Sequence, residues 1–333
     1  MRAILNPRAA GSLVALALAP ALVACGDSGS AAGGDGAQVV VTTSILGDVA
    51  SEVAGGEVEV EVLMPRGADP HEAALSARQA DSLSSADLAV VNGAGFEQAM
   101  EDTITAVEES GTPVFRATDH VELLTFADQH AHEDEAEDEE EHAEEGEGAL
   151  DHGHDEDEAD PHFWTDPTRT AAVAQALGDR IADLEGVDAD AVRSATADYV
   201  ATLGELDIEL EEDLTPIPED RRRLVTNHEV FGYFARRYGF EVVGTVIPAG
   251  STQAEPSAAE VEALAEVIEE TGVPAIFAET SSPTALADAL AGTVGDVAVV
   301  SLFSESLGDE ESGAATYVEM MRTNAERIAE ALA

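Results

Sequence analysis

The sequence has no lysine, one cysteine and few aromatic residues. All fifteen of its basic residues are arginine, and they stand against sixty-nine acidic residues, for a formal net charge of −54 at pH 7. Nucleic-acid binding needs clustered basic side chains, so this balance excludes that class of partner and favours cations. Aromatic residues make up 4% of the chain and hydrophobic residues 44%, so we expect a core of aliphatic side chains.

The single cysteine, Cys25, excludes an intramolecular disulfide. It follows an N-terminal segment in which two arginines precede the apolar run Gly11–Ala24. That run is too short to cross a bilayer, and the pattern predicts a signal peptide at residues 1–24. A buried free thiol is the alternative reading of Cys25.

The four residues "LVAC" that end at Cys25 resemble a bacterial lipobox, which implies that Cys25 carries lipid. Residues 25–37 are rich in Gly and Ser and predict a flexible tether. We therefore expect an extracytoplasmic, monomeric body that is anchored to the cell membrane by lipid on Cys25.

From residue 38 onward, β-branched runs such as "QVVVTTS" and "DLAVVNG" alternate with segments of helical periodicity such as "ILGDVASEVA". This order predicts an α/β protein with two lobes, each a mostly parallel sheet flanked by helices. We predict an N-terminal lobe at residues 38–186 and a C-terminal lobe at 218–333. One long spine helix at 187–214 joins them, and Pro216 and Pro218 end it.

An acidic run interrupts the N-terminal lobe. Eighteen of the thirty-four residues from Asp128 to Pro161 are Asp or Glu, and such a segment has too little apolar surface to offset the entropy of ordering it. We predict a disordered insertion at 128–160 that gathers metal ions weakly as an accessory site; a solvated spacer is the alternative. The histidines of this accessory loop are His130, His132, His142, His152 and His154.

Three other histidines stand near predicted strand ends, where α/β folds place ligands. His71 and His162 each end the tripeptide Asp-Pro-His, and His228 lies in "LVTNHEVFGYF", after a predicted strand and at a predicted helix N-terminus. Three imidazoles and a carboxylate make a favourable tetrahedral site for Zn²⁺. Structural, hydrogen-bonding histidines are the alternative.

The segments around these histidines resemble the solute-binding lipoproteins of zinc and manganese ABC importers. "MPRGADPHEAALSARQADSLSSADLAVVNGAGFE", "DPHFWTDP" and "VTNHEVFGYFARRYGFEVVG" are similar to that family's three ligand blocks, in the family's order. "VPAIFAETSSP" and "VVSLFSESLGDE" resemble its C-terminal strands. The resemblance runs from Val39 to the end of the chain.

The resemblance implies that His71, His162 and His228 are metal ligands. The fourth ligand is then Glu305, although Glu279 or water are alternatives and Glu279 suits a supporting role better. Manganese importers commonly have Glu at the third position, so His228 points to the zinc branch.

The neighbours of these ligands have predicted roles of their own. Asp69 and Asp160 are candidates to orient the imidazoles. Phe163 and Trp164 are candidates to close the site against water, with core packing as the alternative. The family often has an aromatic residue shortly after the first histidine; Ala73 and Ala74 stand there instead, which predicts looser packing around His71.

Function follows from the same resemblance. We expect a high-affinity receptor, not an enzyme, that takes Zn²⁺ as transported ligand and passes it to an ABC permease and its ATPase. A manganese receptor of the same family is the main alternative. A zinc hydrolase is a weaker one, because the sequence has no HExxH helix. The third alternative is a surface protein in which the metal only rigidifies the fold.

Overall fold

The computed structural model describes residues 36–127, 158–248 and 250–333. Several predictions lie outside these residues: the signal peptide 1–24, the lipidated Cys25, most of the tether 25–37, and the five histidines of the acidic run. Within the described ranges, no helix has both the length and the apolar character needed to cross a membrane.

The N-terminal lobe is built on a parallel sheet whose strands, in spatial order, are β2 (Glu59–Val62), β1 (Gln38–Val41), β3 (Leu88–Val91) and β4 (Val114–Arg116). The central strands β1 and β3 are almost wholly buried, as their β-branched and apolar sequences require. Its elements are β1 (Gln38–Val41), α1 (Ser44–Ala54), β2 (Glu59–Val62), α2 (Ala77–Ser84), β3 (Leu88–Val91), α3 (Glu101–Glu109) and β4 (Val114–Arg116).

Two helices lie between the two sheets along the chain: α4 (Pro167–Ala182) and α5 (Ala189–Leu214). Asp166 caps α4 by accepting a hydrogen bond from the backbone N–H of Thr168 at 2.8 Å. Helix α5 has 26 residues, which corresponds to a length of about 39 Å. Its buried side chains join the main core, which also contains residues of both lobes.

The C-terminal lobe repeats the first topology, with parallel strands in the spatial order β6 (Glu241–Thr245), β5 (Arg223–Thr226), β7 (Ala275–Glu279) and β8 (Ala298–Leu302). The two-lobed α/β fold class is therefore confirmed. Helix α6 begins four residues after His228, so His228 lies in the preceding loop and not at the helix N-terminus. The elements are β5 (Arg223–Thr226), α6 (Gly232–Tyr238), β6 (Glu241–Thr245), α7 (Ala258–Thr271), β7 (Ala275–Glu279), α8 (Ala285–Val294), β8 (Ala298–Leu302) and α9 (Tyr317–Leu332).

The last residues of the predicted insertion are ordered, contrary to expectation. The backbone N–H of Phe126 donates to the carbonyl of Glu158 at 3.2 Å, and that of Asp160 donates to the carbonyl of Leu124 at 2.8 Å. Thr125 and Ala159 form an antiparallel bridge between these bonds. This pairing satisfies backbone hydrogen-bonding groups whatever side chains the segment carries. Amino-acid composition therefore predicted the C-terminal end of the insertion too far along the chain.

Candidate metal centre

Loops at the carboxyl ends of three strands, together with the segment before α4, bring four ligand-type side chains together. His71 follows β2, His228 follows β5 and Glu305 follows β8, while His162 directly precedes the turn that leads into α4. All four side chains are buried, and one ligand atom from each lies within 4.8 Å of the others. These are the four residues that the sequence predicted as a set.

The Nε2 atoms of the three histidines converge on one oxygen. They lie 2.7 Å (His71), 3.6 Å (His162) and 3.2 Å (His228) from Oε1 of Glu305. Ligand atoms of a tetrahedral zinc ion with bonds of about 2.0–2.1 Å stand about 3.3 Å apart, close to the two longer distances. The shortest is a hydrogen bond between His71 and Glu305.

Two of these nitrogens are buried without hydrogen bonds. Within the described chain, Nε2 of His162 and Nε2 of His228 have no hydrogen-bond partner, and neither has Oε2 of Glu305. Buried polar atoms left in this way cost free energy, and ligation of a cation would satisfy them. The donor set therefore fits a divalent metal.

The opposite ring nitrogens are held by carboxylates. Oδ1 of Asp160 lies 2.7 Å from Nδ1 of His162, and Oε1 of Glu279 contacts Nδ1 of His228. A carboxylate partner places the ring proton on Nδ1 and leaves Nε2 free to ligate. Asp160 thus contacts an imidazole as predicted, and Glu279 sits behind His228. Asp69 differs, because its carboxylate accepts a hydrogen bond from the backbone N–H of His71, at 2.9 Å, instead of contacting the imidazole.

Charges within the cluster shift its pKa values. Burial acts to lower the pKa of His228, but the carboxylates of Glu279 and Glu305 outweigh it and raise this pKa well above its usual range. The pKa of His162 is raised against burial by Asp160. Burial acts to raise the pKa of Glu305, yet His228 and His71 hold it well below its usual range. The site therefore attracts positive charge, whether as protons or as a metal ion.

Aromatic rings enclose the cluster. The ring of Phe96 lies edge-on to His71, with centroids 5.0 Å apart, and that of Trp164 lies 5.3 Å from His162. Phe163 is buried in the core and contacts Trp164. The expected looseness around His71 is wrong, because Phe96 packs against it from the loop after β3.

Sequence reasoning missed Phe96 as a site residue. Its loop has three successive residues with positive φ: Gly93 (90°), Ala94 (49°) and Gly95 (74°). The buried carboxylate of Glu97 fixes this loop by accepting from the backbone N–H of Asn92 at 2.6 Å and from a threonine hydroxyl. The paired glycines of "NGAGFE" directly after a strand were the available signal for a specialised loop. The ninth histidine, His120, stacks on Phe115 and lies outside the cluster.

Comparison with known proteins agrees with this architecture. The family model described as "Zinc-uptake complex component A periplasmic" matches residues 39–331. The chain belongs to this family. Members are solute-binding receptors, so the prediction that the chain is no enzyme is confirmed, as is its resemblance to the metal-binding proteins of ABC importers.

Individual relatives differ in the metal that their names carry. The "Zinc-binding protein TroA" of Treponema pallidum is 31% identical over 308 residues, which cover 91% of each chain. The "Manganese-binding lipoprotein MntA" of Halalkalibacterium halodurans is 25% identical over 323 residues, 96% of this chain and 97% of that protein. The solved structure of the periplasmic zinc-binding protein TroA superposes with a TM-score of 0.75 at 29% identity, covering 90% of this chain and 99% of the other. Family membership thus leaves the metal to be argued from the site.

Proposed function

We propose that the protein is an extracytoplasmic receptor that captures Zn²⁺ between its lobes with His71, His162, His228 and Glu305 and delivers it to an ABC permease and its ATPase. The observation that carries this proposal is the convergence of three Nε2 atoms on Oε1 of Glu305, two of them buried without hydrogen-bond partners in the described chain. An ion there would be cargo, held by residues of both lobes.

The donor atoms favour zinc over manganese. Three imidazole nitrogens and one carboxylate oxygen suit the borderline-soft Zn²⁺ in a four-coordinate site, whereas Mn²⁺ prefers oxygen ligands and more of them. Divalent manganese also binds a given nitrogen and oxygen site more weakly than zinc. The manganese receptor remains the second candidate because of the relatives that carry that name.

The acidic run and Cys25 have accessory roles in this proposal. Phe126 precedes the run and Glu158 lies near its end, and both line a cavity of about 40 Å³ together with His71. The described residues at the two ends of the run therefore lie beside a ligand of the candidate centre. We propose that its five histidines gather zinc there, that lipid on Cys25 anchors a monomer to the membrane, and that the bound ion leaves toward the permease.

Metal content and competition affinity test the central proposal. We expect the purified protein to hold a single zinc ion tightly and to prefer it to manganese. His228→Ala should weaken zinc binding more than about a hundredfold, because it removes a ligand and leaves Glu279 without its imidazole partner. His120→Ala is the matched control, since His120 stacks on Phe115 outside the cluster. Tight zinc binding that survives in His228→Ala would refute the assignment.

A further inference from the structure

The two Asp-Pro-His tripeptides use their aspartates differently. Oδ1 of Asp160 accepts hydrogen bonds from the backbone N–H and from Nδ1 of His162, at 2.8 and 2.7 Å. Oδ1 of Asp69 accepts a hydrogen bond from the backbone N–H of His71, at 2.9 Å, but not from its ring. Its other oxygen points to the opposite lobe.

Three side chains of the C-terminal lobe reach the Asp69–His71 segment. The hydroxyl of Thr252 donates to Oδ2 of Asp69 at 2.6 Å, and the hydroxyl of Ser282 donates to the same oxygen at 3.4 Å. Nε2 of Gln253 donates to the backbone carbonyl of His71. Thr252 and Gln253 lie between β6 and α7, and Ser282 lies between β7 and α8. The backbone of His71 is thus tied to two loops of the other lobe.

We infer that Asp69, Thr252 and Ser282 form an interlobe latch that slows release of the captured ion. The inference rests on the proposed function. One oxygen of Asp69 fixes the backbone of His71, and the other binds the opposite lobe, so closure of the cleft and placement of His71 are the same event. Asp69 acts through His71 and is a positioning residue.

The latch acts on release more than on capture. An ion held by His71 and His162 from one lobe, and by His228 and Glu305 from the other, leaves only when the lobes separate. Separation breaks the two hydrogen bonds to Oδ2 of Asp69, so they add to the barrier for dissociation. An arriving ion enters while the cleft is open, and the metal-free protein samples open and closed states, so losing these bonds raises the open fraction and changes the association rate by no more than about twofold.

The test removes the latch donors without touching a metal-contacting residue. In the full chain, Thr252→Val with Ser282→Ala should bind zinc with unchanged stoichiometry. Dissociation into excess chelator, followed by stopped flow, should accelerate about tenfold, while association stays within about twofold of wild type. Thr252→Ser keeps the hydroxyl and should release zinc at the wild-type rate.

Thr284→Val is the matched control for the loss of a hydroxyl. Its hydroxyl donates to Asp288 at 2.8 Å within the C-terminal lobe, so this variant should leave zinc dissociation unchanged. An unchanged dissociation rate in the double variant would overturn the latch. A general structural role would also overturn it. That role is indicated if the double variant has a lower melting temperature and both releases zinc faster and binds it more slowly than wild type.

Failure of the proposed function would be visible separately. If the wild-type chain holds no zinc, the receptor assignment fails, and the latch is judged by amide hydrogen exchange of the metal-free proteins. Faster exchange across residues 69–73 in the double variant than in wild type and Thr284→Val would support the latch. Equal exchange in all three proteins would overturn it.

Discussion

Asp160 accepts two hydrogen bonds from His162 through a single carboxylate oxygen, one from the backbone N–H at 2.8 Å and one from Nδ1 at 2.7 Å. The intervening Pro161 restricts the turn that allows both bonds. The phenolic hydroxyl of Tyr233 donates to the backbone carbonyl of Asp160 at 2.7 Å, which ties this turn to α6 of the other lobe. Residues of both lobes therefore fix the turn that sets the direction of the His162 ring.

Removing the charge of Asp160 should weaken metal binding without removing a ligand. Asp160→Asn can still accept from Nδ1, but it no longer stabilises the imidazole with a full negative charge. We expect zinc affinity to fall about 10- to 100-fold, measured by competition with a fluorescent chelator. Asp119→Asn, an exposed acid of the same lobe, is the control for lost charge. Equal affinities in the two variants would show that Asp160 does not tune His162.

Replacing His228 should change which metal the site prefers. His228→Glu exchanges a borderline nitrogen ligand for a hard oxygen ligand, so the ratio of zinc to manganese affinity should fall by more than about tenfold. Glu279, which then loses its imidazole partner, should be protonated beside the new carboxylate because it is buried. Competition titrations with both ions measure the ratio. A ratio equal to that of wild type would mean that this position does not select the metal.

Local sequence signals were sufficient for the framework of the fold. Strand β1 lies in "QVVVTTS" and strand β3 in "DLAVVNG", where β-branched and apolar residues fill central, doubly buried strands. The end of α5 shortly before Pro216 likewise follows from proline, which has no backbone N–H to continue a helix. His71 and His228 could be grouped because the carboxyl ends of parallel strands face the same cleft.

The parts of the site that could not be predicted depend on tertiary contacts. Asp69 and Asp160 have the same neighbours in sequence, yet only the packing of the C-terminal lobe brings Thr252 to Asp69. Phe96 takes the place beside His71 that Ala73 and Ala74 leave, from a loop more than twenty residues along the chain. The C-terminal end of the insertion was also predicted too far along the chain, because amino-acid composition carries no information about backbone pairing.

Asp48 should make the stability of the protein depend on pH. Burial raises the pKa of Asp48 from 3.8 to about 6, although its side chain accepts a hydrogen bond from the backbone N–H of Tyr317 at 2.8 Å. The folded state therefore binds more protons than the unfolded state between about pH 4 and 6. The free energy of unfolding should fall as pH rises through that window and lose about 1–3 kcal/mol through this group.

Asp48→Asn should remove this dependence. The amide oxygen can still accept from Tyr317, and no charge is buried, so the free energy of unfolding at pH 7 should rise by about 1–3 kcal/mol. Urea unfolding of the metal-free protein at pH 4, 5, 6 and 7 measures both effects. Asp102→Asn, on the exposed face of α3, controls for the change in net charge. A variant that is less stable than wild type at pH 7, with the same pH profile, would contradict the assignment.

Removing the acidic run should separate its role from that of the cleft. The backbone pairing of Phe126 with Glu158 brings the ends of the run together, so deletion of residues 130–157 leaves a connection short enough for a hairpin. We expect the deletion variant to keep tight zinc at the cleft with unchanged affinity and to capture zinc more slowly when it is limiting. A second variant replaces His130, His132, His142, His152 and His154 with asparagine and keeps the acids; if histidines do the gathering, it should behave like the deletion. Loss of tight zinc in either variant would instead make the run itself the binder, and unchanged capture in both would reduce it to a spacer.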